Sequence, residues 1–74
     1  MTLEVFYEGH SPTIDETLER AVGLKCSGAG FDGHNRDMAW YGLHPKVAQS
    51  LNIKLRSIFP QIQTRIRNDP EELA

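Results

Sequence analysis

The chain has 74 residues, a net charge of −2 and a pI near 5.8, with 39% hydrophobic and 24% charged residues. Those totals fit one small domain spanning residues 1–74, and they exclude nucleic-acid binding by bulk positive charge, which needs a clear basic excess. The single cysteine, Cys26, rules out an internal disulfide, and no apolar run reaches the length of a membrane span. With no secretion signal at Met1-Thr2-Leu3-Glu4, the expected location is a reducing cytoplasm.

Thr2 to Glu8 alternates: Leu3, Val5 and Tyr7 fall on one face, Glu4, Phe6 and Glu8 on the other. Period-2 patterning with aromatic and β-branched residues predicts a half-buried strand. Ser11-Pro12 opens a helix, Ser11 as N-cap and Pro12 at the first helical position, where its missing N–H costs nothing. Asp15 and Glu16 in its first turn suit the positive end of the helix dipole. Ile14, Leu18, Ala21 and Val22 form its apolar stripe, and Gly23 fits the left-handed position just past its end, with Leu24 supplying an apolar contact.

Leu24 to Ser27 reads as a short strand, and the Gly- and Asp-rich stretch Gly28 to Asn35 as a loop. Arg36 to Leu43 contains the only tryptophan and reads as a central strand with Met38 and Trp40 turned inward. His44-Pro45 starts a second helix, whose apolar side is Val47, Ala48, Leu51, Leu55, Ile58 and Phe59. Pro60 decides between two C-terminal arrangements. Proline inside a helix costs about 3 kcal/mol and pushes the residue before it toward extended backbone. Gln61 to Arg67 also alternates, so the expectation is a final strand there and a frayed tail over 69–74.

The resulting order, strand-helix-strand-strand-helix-strand, is the split βαβ or ferredoxin-like α+β plait: a four-stranded antiparallel sheet with both helices on one face. The alternative is a βαββα arrangement with one long, kinked C-terminal helix. The plait hosts many unrelated functions, so it does not by itself point to one. The Cys-x-x-Cys loop of metal-carrying members is absent, since the chain has one Cys. The basic-aromatic third strand of RNA-recognition members is interrupted here by Asp37.

Gly28-Ala29-Gly30-Phe31-Asp32-Gly33 matches the Gly-x-Gly-x-x-Gly string of dinucleotide sites. That chemistry requires a helix N-terminus after the string, to meet the pyrophosphate with free N–H groups. Here a strand comes next, which makes the string a flexible hairpin loop. Asp32, His34 and Asp37 do not have the spacing of an established metal-ligand set, so no metal or other cofactor is expected. Cys26 on a short strand reads as a small buried hydrophobe rather than a nucleophile.

The open sheet face is the more informative feature. Phe6 and Tyr41 are expected there on adjacent central strands, ringed by Glu4, Glu8, Lys25, Gln63, Arg65 and Arg67, as interaction surfaces are. The sequence therefore reads as a small non-enzymatic protein-interaction module. Its expected binding residues are Phe6, Tyr41 and Arg65, with Phe31, Asp32, His34 and Arg36 of the Gly-rich segment. The partner would be a protein, or a second copy as a homodimer, with nucleic acid and membrane not expected. A small acidic domain beginning at its own methionine suits an accessory or inhibitor protein of the kind phages and mobile elements encode to act on a host protein. The alternative is a small-ligand or single-stranded nucleic-acid binder using loop 28–35 and Arg36. A third reading is a minimal metal-dependent hydrolase on Asp32, His34 and Asp37.

Overall fold

The computed structural model describes residues 1–69. Strands β1 (Thr2–Glu8), β2 (Gly28–Phe31), β3 (Asn35–Trp40) and β4 (Gln63–Arg67) and helices α1 (Pro12–Val22) and α2 (Pro45–Ile58) succeed one another as βαββαβ. The sheet is antiparallel throughout, in the order β2-β3-β1-β4. This is the ferredoxin-like plait, with β1 and β3 central.

The core lies between sheet and helices. Leu3, Val5 and Tyr7 of β1 and Met38 and Trp40 of β3 are buried against Leu18 of α1 and Ala48 and Leu55 of α2. The alternation of β1 and the inward placement of Met38 and Trp40 are as the patterning predicts. The buried Trp40 indole needs an acceptor. Its Nε1 donates to the Leu24 carbonyl at 3.0 Å.

Helix α1 is set by local chemistry. Ser11 Oγ accepts the Ile14 N–H, and Gly23 takes φ 87°, a backbone that glycine alone adopts without cost. Its N–H donates to the Glu19 carbonyl at 2.8 Å. Leu24 departs from expectation: it is exposed, and its carbonyl, not its side chain, is used.

Helix α2 stops where Pro60 requires. Phe59 leaves the helical region at φ −122°, ψ 81°, in keeping with the bias of a residue before proline away from helix. A turn closed by the Ile62 N–H on the Phe59 carbonyl leads into β4, which starts at Gln63, two residues later than the alternation suggests. A single long helix is excluded. The apolar stripe of α2 is narrower than predicted, because Val47 and Ile58 lie on its margins and are exposed. Asn52 lies within the half-buried band instead and accepts a hydrogen bond from Thr64 of β4.

The region between α1 and β3 needs correction. Leu24 to Ser27 is not a strand, and β2 occupies Gly28 to Phe31, inside the stretch expected to be a loop. Most of the backbone of the former segment is engaged off the sheet, and only the Ser27 N–H reaches β3, donating to the Ala39 carbonyl at 2.7 Å. Leu24 O serves Trp40, and the Cys26 N–H donates to Glu19 Oε2 at 2.8 Å. Pairing begins only after that, and it depends on the glycines having no side chain. A Cβ on Gly28 would sit 3.1 Å from the Tyr41 hydroxyl oxygen, and one on Gly30 would sit 3.2 Å from Asp37 Oδ1. The two β3-side groups lie across β2 because nothing there stands in their way. β3 runs from Asn35 to Trp40, so Tyr41 to Leu43, expected as strand, fall beyond its end. Of the segment expected to be a frayed tail, Asp69 accepts hydrogen bonds from Thr2 Oγ1 and the Gly42 N–H; residues 70–74 lie outside the described residues.

Candidate functional site

Both helices cover one face of the sheet, and the other is open. Cross-strand register places its residues in rows. One row runs Gly28, Ala39, Glu4, Arg65; the next runs Gly30, Asp37, Phe6, Gln63. Phe6 thus lies at the centre of this face, half-buried, with the Arg65 guanidinium 5.9 Å from its ring centroid. A cation over an aromatic face at that distance contributes about 0.5–1 kcal/mol at an exposed site.

Glu4 organises the charge beside Phe6. Its Oε1 accepts Arg65 Nη2 at 2.8 Å and Arg67 Nε at 2.8 Å. Burial pushes the Glu4 carboxyl up, but the hydrogen bonds and charge of the two arginines outweigh it and hold the pKa below the usual carboxylate range. One carboxylate thus holds both arginines over the open face.

Beyond Phe6 the face becomes acidic. A cleft of about 420 Å³ is lined by Phe6, Tyr7, Glu8, Asp32, Asn35, Asp37, Gln61 and Gln63. Asp32 is part of the β2–β3 turn: its Oδ1 accepts the His34 N–H at 2.8 Å and the Asn35 N–H at 2.6 Å. Those two main-chain donors, that of Asn35 foremost, hold its carboxyl below the ordinary value. The result is a face with a polarity: arginine at one end, carboxylate and amide at the other, an aromatic ring between.

The expected binding residues divide into groups. Phe6 and Arg65 are brought together. Tyr41 belongs to the same face but not to the same patch, because Phe6 pairs with Asp37 while Tyr41 lies two residues past Ala39, the partner of Glu4. Lys25, expected in the ring around the aromatics, instead lines a groove with Glu16, Glu19, Arg20, Gly23 and Leu24. Phe31 and Arg36 face the helix layer. Phe31 lies against His10, ring centroids 5.4 Å apart. Asp32 and His34 sit in the hairpin turn, exposed.

Arg36 is engaged in a cluster that the residue pattern does not reveal. Its Nη2 lies 3.0 Å from Asp15 Oδ2, with the two side chains 17% and 14% exposed. Tyr7 donates its hydroxyl to Asp15 Oδ1 at 2.5 Å and is also 3.0 Å from the Ser11 carbonyl; His10 Nε2 stands 3.4 Å from Asp15 Oδ2. Burial raises the Asp15 carboxyl, but Tyr7 and Arg36 prevail and leave it lowered; the same burial, with Asp15 beside it, raises the Tyr7 phenol. The cluster ties the start of α1 to β1 and β3. The sequence carries one signal for it, an acidic residue in the first turn, and a dipole effect alone accounts for that residue equally well.

Among the described residues no three His, Cys, Asp or Glu side chains converge as a metal site requires, and no helix is long and apolar enough to cross a membrane. Fold and surface together define a ferredoxin-like plait with an uncovered, charge-polarised sheet face. Comparison with protein-family models, with curated proteins and with solved structures returned no match.

Proposed function

We propose that the protein is a non-enzymatic interaction module that binds a protein partner on the open face of its sheet. One observation carries this reading: Phe6 sits at the centre of that face beneath the Arg65 guanidinium, with Arg65 itself fixed by Glu4. Aromatic and arginine side chains are enriched at protein interfaces, and a side chain already held in place loses less entropy on docking. The polarity of the face would set the partner's orientation, basic groups toward Glu8 and Asp37, acidic groups toward Arg65 and Arg67. The same carboxylates oppose nucleic acid on this surface. The reading extends to a cytoplasmic accessory or inhibitor protein, of the type phages and mobile elements encode, acting on a host protein.

The ligand-binding alternative would have to use residues 28–31 as a strand and an Arg36 already paired with Asp15, which favours the interaction reading. The test uses wild-type protein, Phe6→Ser and Arg65→Glu as baits, with Ile53→Ser as a control on the far side; Ile53 is 71% exposed on α2. A partner held stoichiometrically by wild type and control, and lost by both face variants at unchanged circular dichroism, supports the reading. A partner that survives Phe6→Ser refutes it.

A further inference from the structure

The two edges of the sheet are unlike. β4 carries Arg65 and Arg67, so two copies meeting along it would repel. β2 is Gly28-Ala29-Gly30-Phe31, with no charge and no proline of its own. Ala29 is exposed and Phe31 is 47% exposed. An edge without such guards is a template for another strand.

The phase of the ladder shows what that edge offers. Asp32 N donates to Asn35 O at 3.2 Å, and bonded pairs alternate along an antiparallel ladder. Gly30 and Gly28 therefore exchange their bonds with Asp37 and Ala39, and the N–H and C=O of Ala29 and Phe31 point away from β3.

We infer that β2 pairs antiparallel with β2 of a second copy, Ala29 opposite Ala29, joining two sheets into one. Charge selects this register. With Gly30 opposite Gly30, the two Asp37 carboxylates, each lying over its own Gly30, would face each other. With Ala29 at the two-fold axis, Gly28 of one copy lies opposite Gly30 of the other on the open face. That sets the Tyr41 hydroxyl, which lies over Gly28, against the Asp37 carboxylate of the second copy, which lies over Gly30, and the pair occurs twice. Opposed positions on neighbouring strands are about 5 Å apart, within reach for these two side chains. The joint is short, so the dimer is of the weak, transient class. It leaves Phe6 and Arg65 uncovered and stands whether or not that patch takes a partner.

Sedimentation over a concentration series up to about 1 mM, a range that captures weak pairs, should show a monomer–dimer equilibrium. Exchange of the Ala29 amide, which faces solvent in the monomer, should slow as concentration rises. Ala29→Cys in a Cys26→Ser background should cross-link to itself. Tyr41→Phe, which removes two hydrogen bonds to carboxylates per dimer, should weaken association by about 10- to 100-fold. A protein that stays monomeric overturns the inference. So does a dimer in which Ala29 exchanges freely, which would place association elsewhere and leave the open-face reading standing.

Discussion

Replacing Asp15 with alanine should be among the most damaging single changes outside the apolar core. The carboxylate accepts from Tyr7 at 2.5 Å and pairs with Arg36 at 3.0 Å. Tyr7 retains the Ser11 carbonyl after the change, but the Arg36 guanidinium, 17% exposed, loses the carboxylate that neutralises it. Hydrogen bonds to charged groups contribute about 1.5–3 kcal/mol each. Residual water access places the total toward the lower end, about 2–3 kcal/mol. For a chain of 74 residues that corresponds to a fall in Tm of about 10–20 °C. Asp15→Asn keeps an acceptor but loses the charge and should cost about half as much. The dependence on pH comes from the lowered pKa of Asp15. A group whose folded pKa is depressed stabilises the fold above its unfolded pKa, near 4, and loses that contribution as pH falls through the lower folded value. Urea titrations of wild type and Asp15→Ala should differ fully at pH 7 and converge below about pH 4. A gap that persists unchanged to about pH 2.5 would show that packing or helix propensity, not the charged cluster, accounts for the loss.

Two further outcomes concern the core and the thiol. Leu55→Ala removes a fully buried side chain between α2 and the sheet, and should cost about 2–5 kcal/mol by denaturant titration with little change in the m-value. Burial, with the Glu19 carboxylate beside it, pushes the Cys26 thiol up, so it should react with a disulfide reagent at about pH 8 more slowly than an unstructured cysteine. Glu19→Gln should recover part of that rate in the folded protein.

The elements legible in the sequence are those decided locally. Ser11, Pro12 and Gly23 delimit α1 through their own backbone preferences, and Pro60 ends α2 by lacking an N–H. β1 announces its buried face by alternation. β2 cannot be found this way, because glycine and alanine have no strand preference. Its glycines leave the space that the Tyr41 hydroxyl and the Asp37 carboxylate occupy, which depends on residues far along the chain. The open face is legible in outline, including the meeting of Phe6 with Arg65. The separation of Tyr41 from Phe6 is not, because it depends on register between strands, which composition does not fix. Charge alone argues for Arg36 pointing outward; strand alternation puts it on the face of Met38 and Trp40, and Asp15, a long way back in the chain, supplies its partner there.

The central strand β1 is also the first to be made, and both of its neighbours, β3 and β4, come from later sequence, Leu3 pairing with Trp40 and with Ile66. During synthesis Leu3, Val5 and Tyr7 would wait without a lateral partner until β3, which ends at Trp40, had emerged. Folding should accordingly be slow for so small a protein, governed by closure of long loops rather than by formation of α1. In that interval an unpaired apolar strand would be exposed to chaperones and to aggregation.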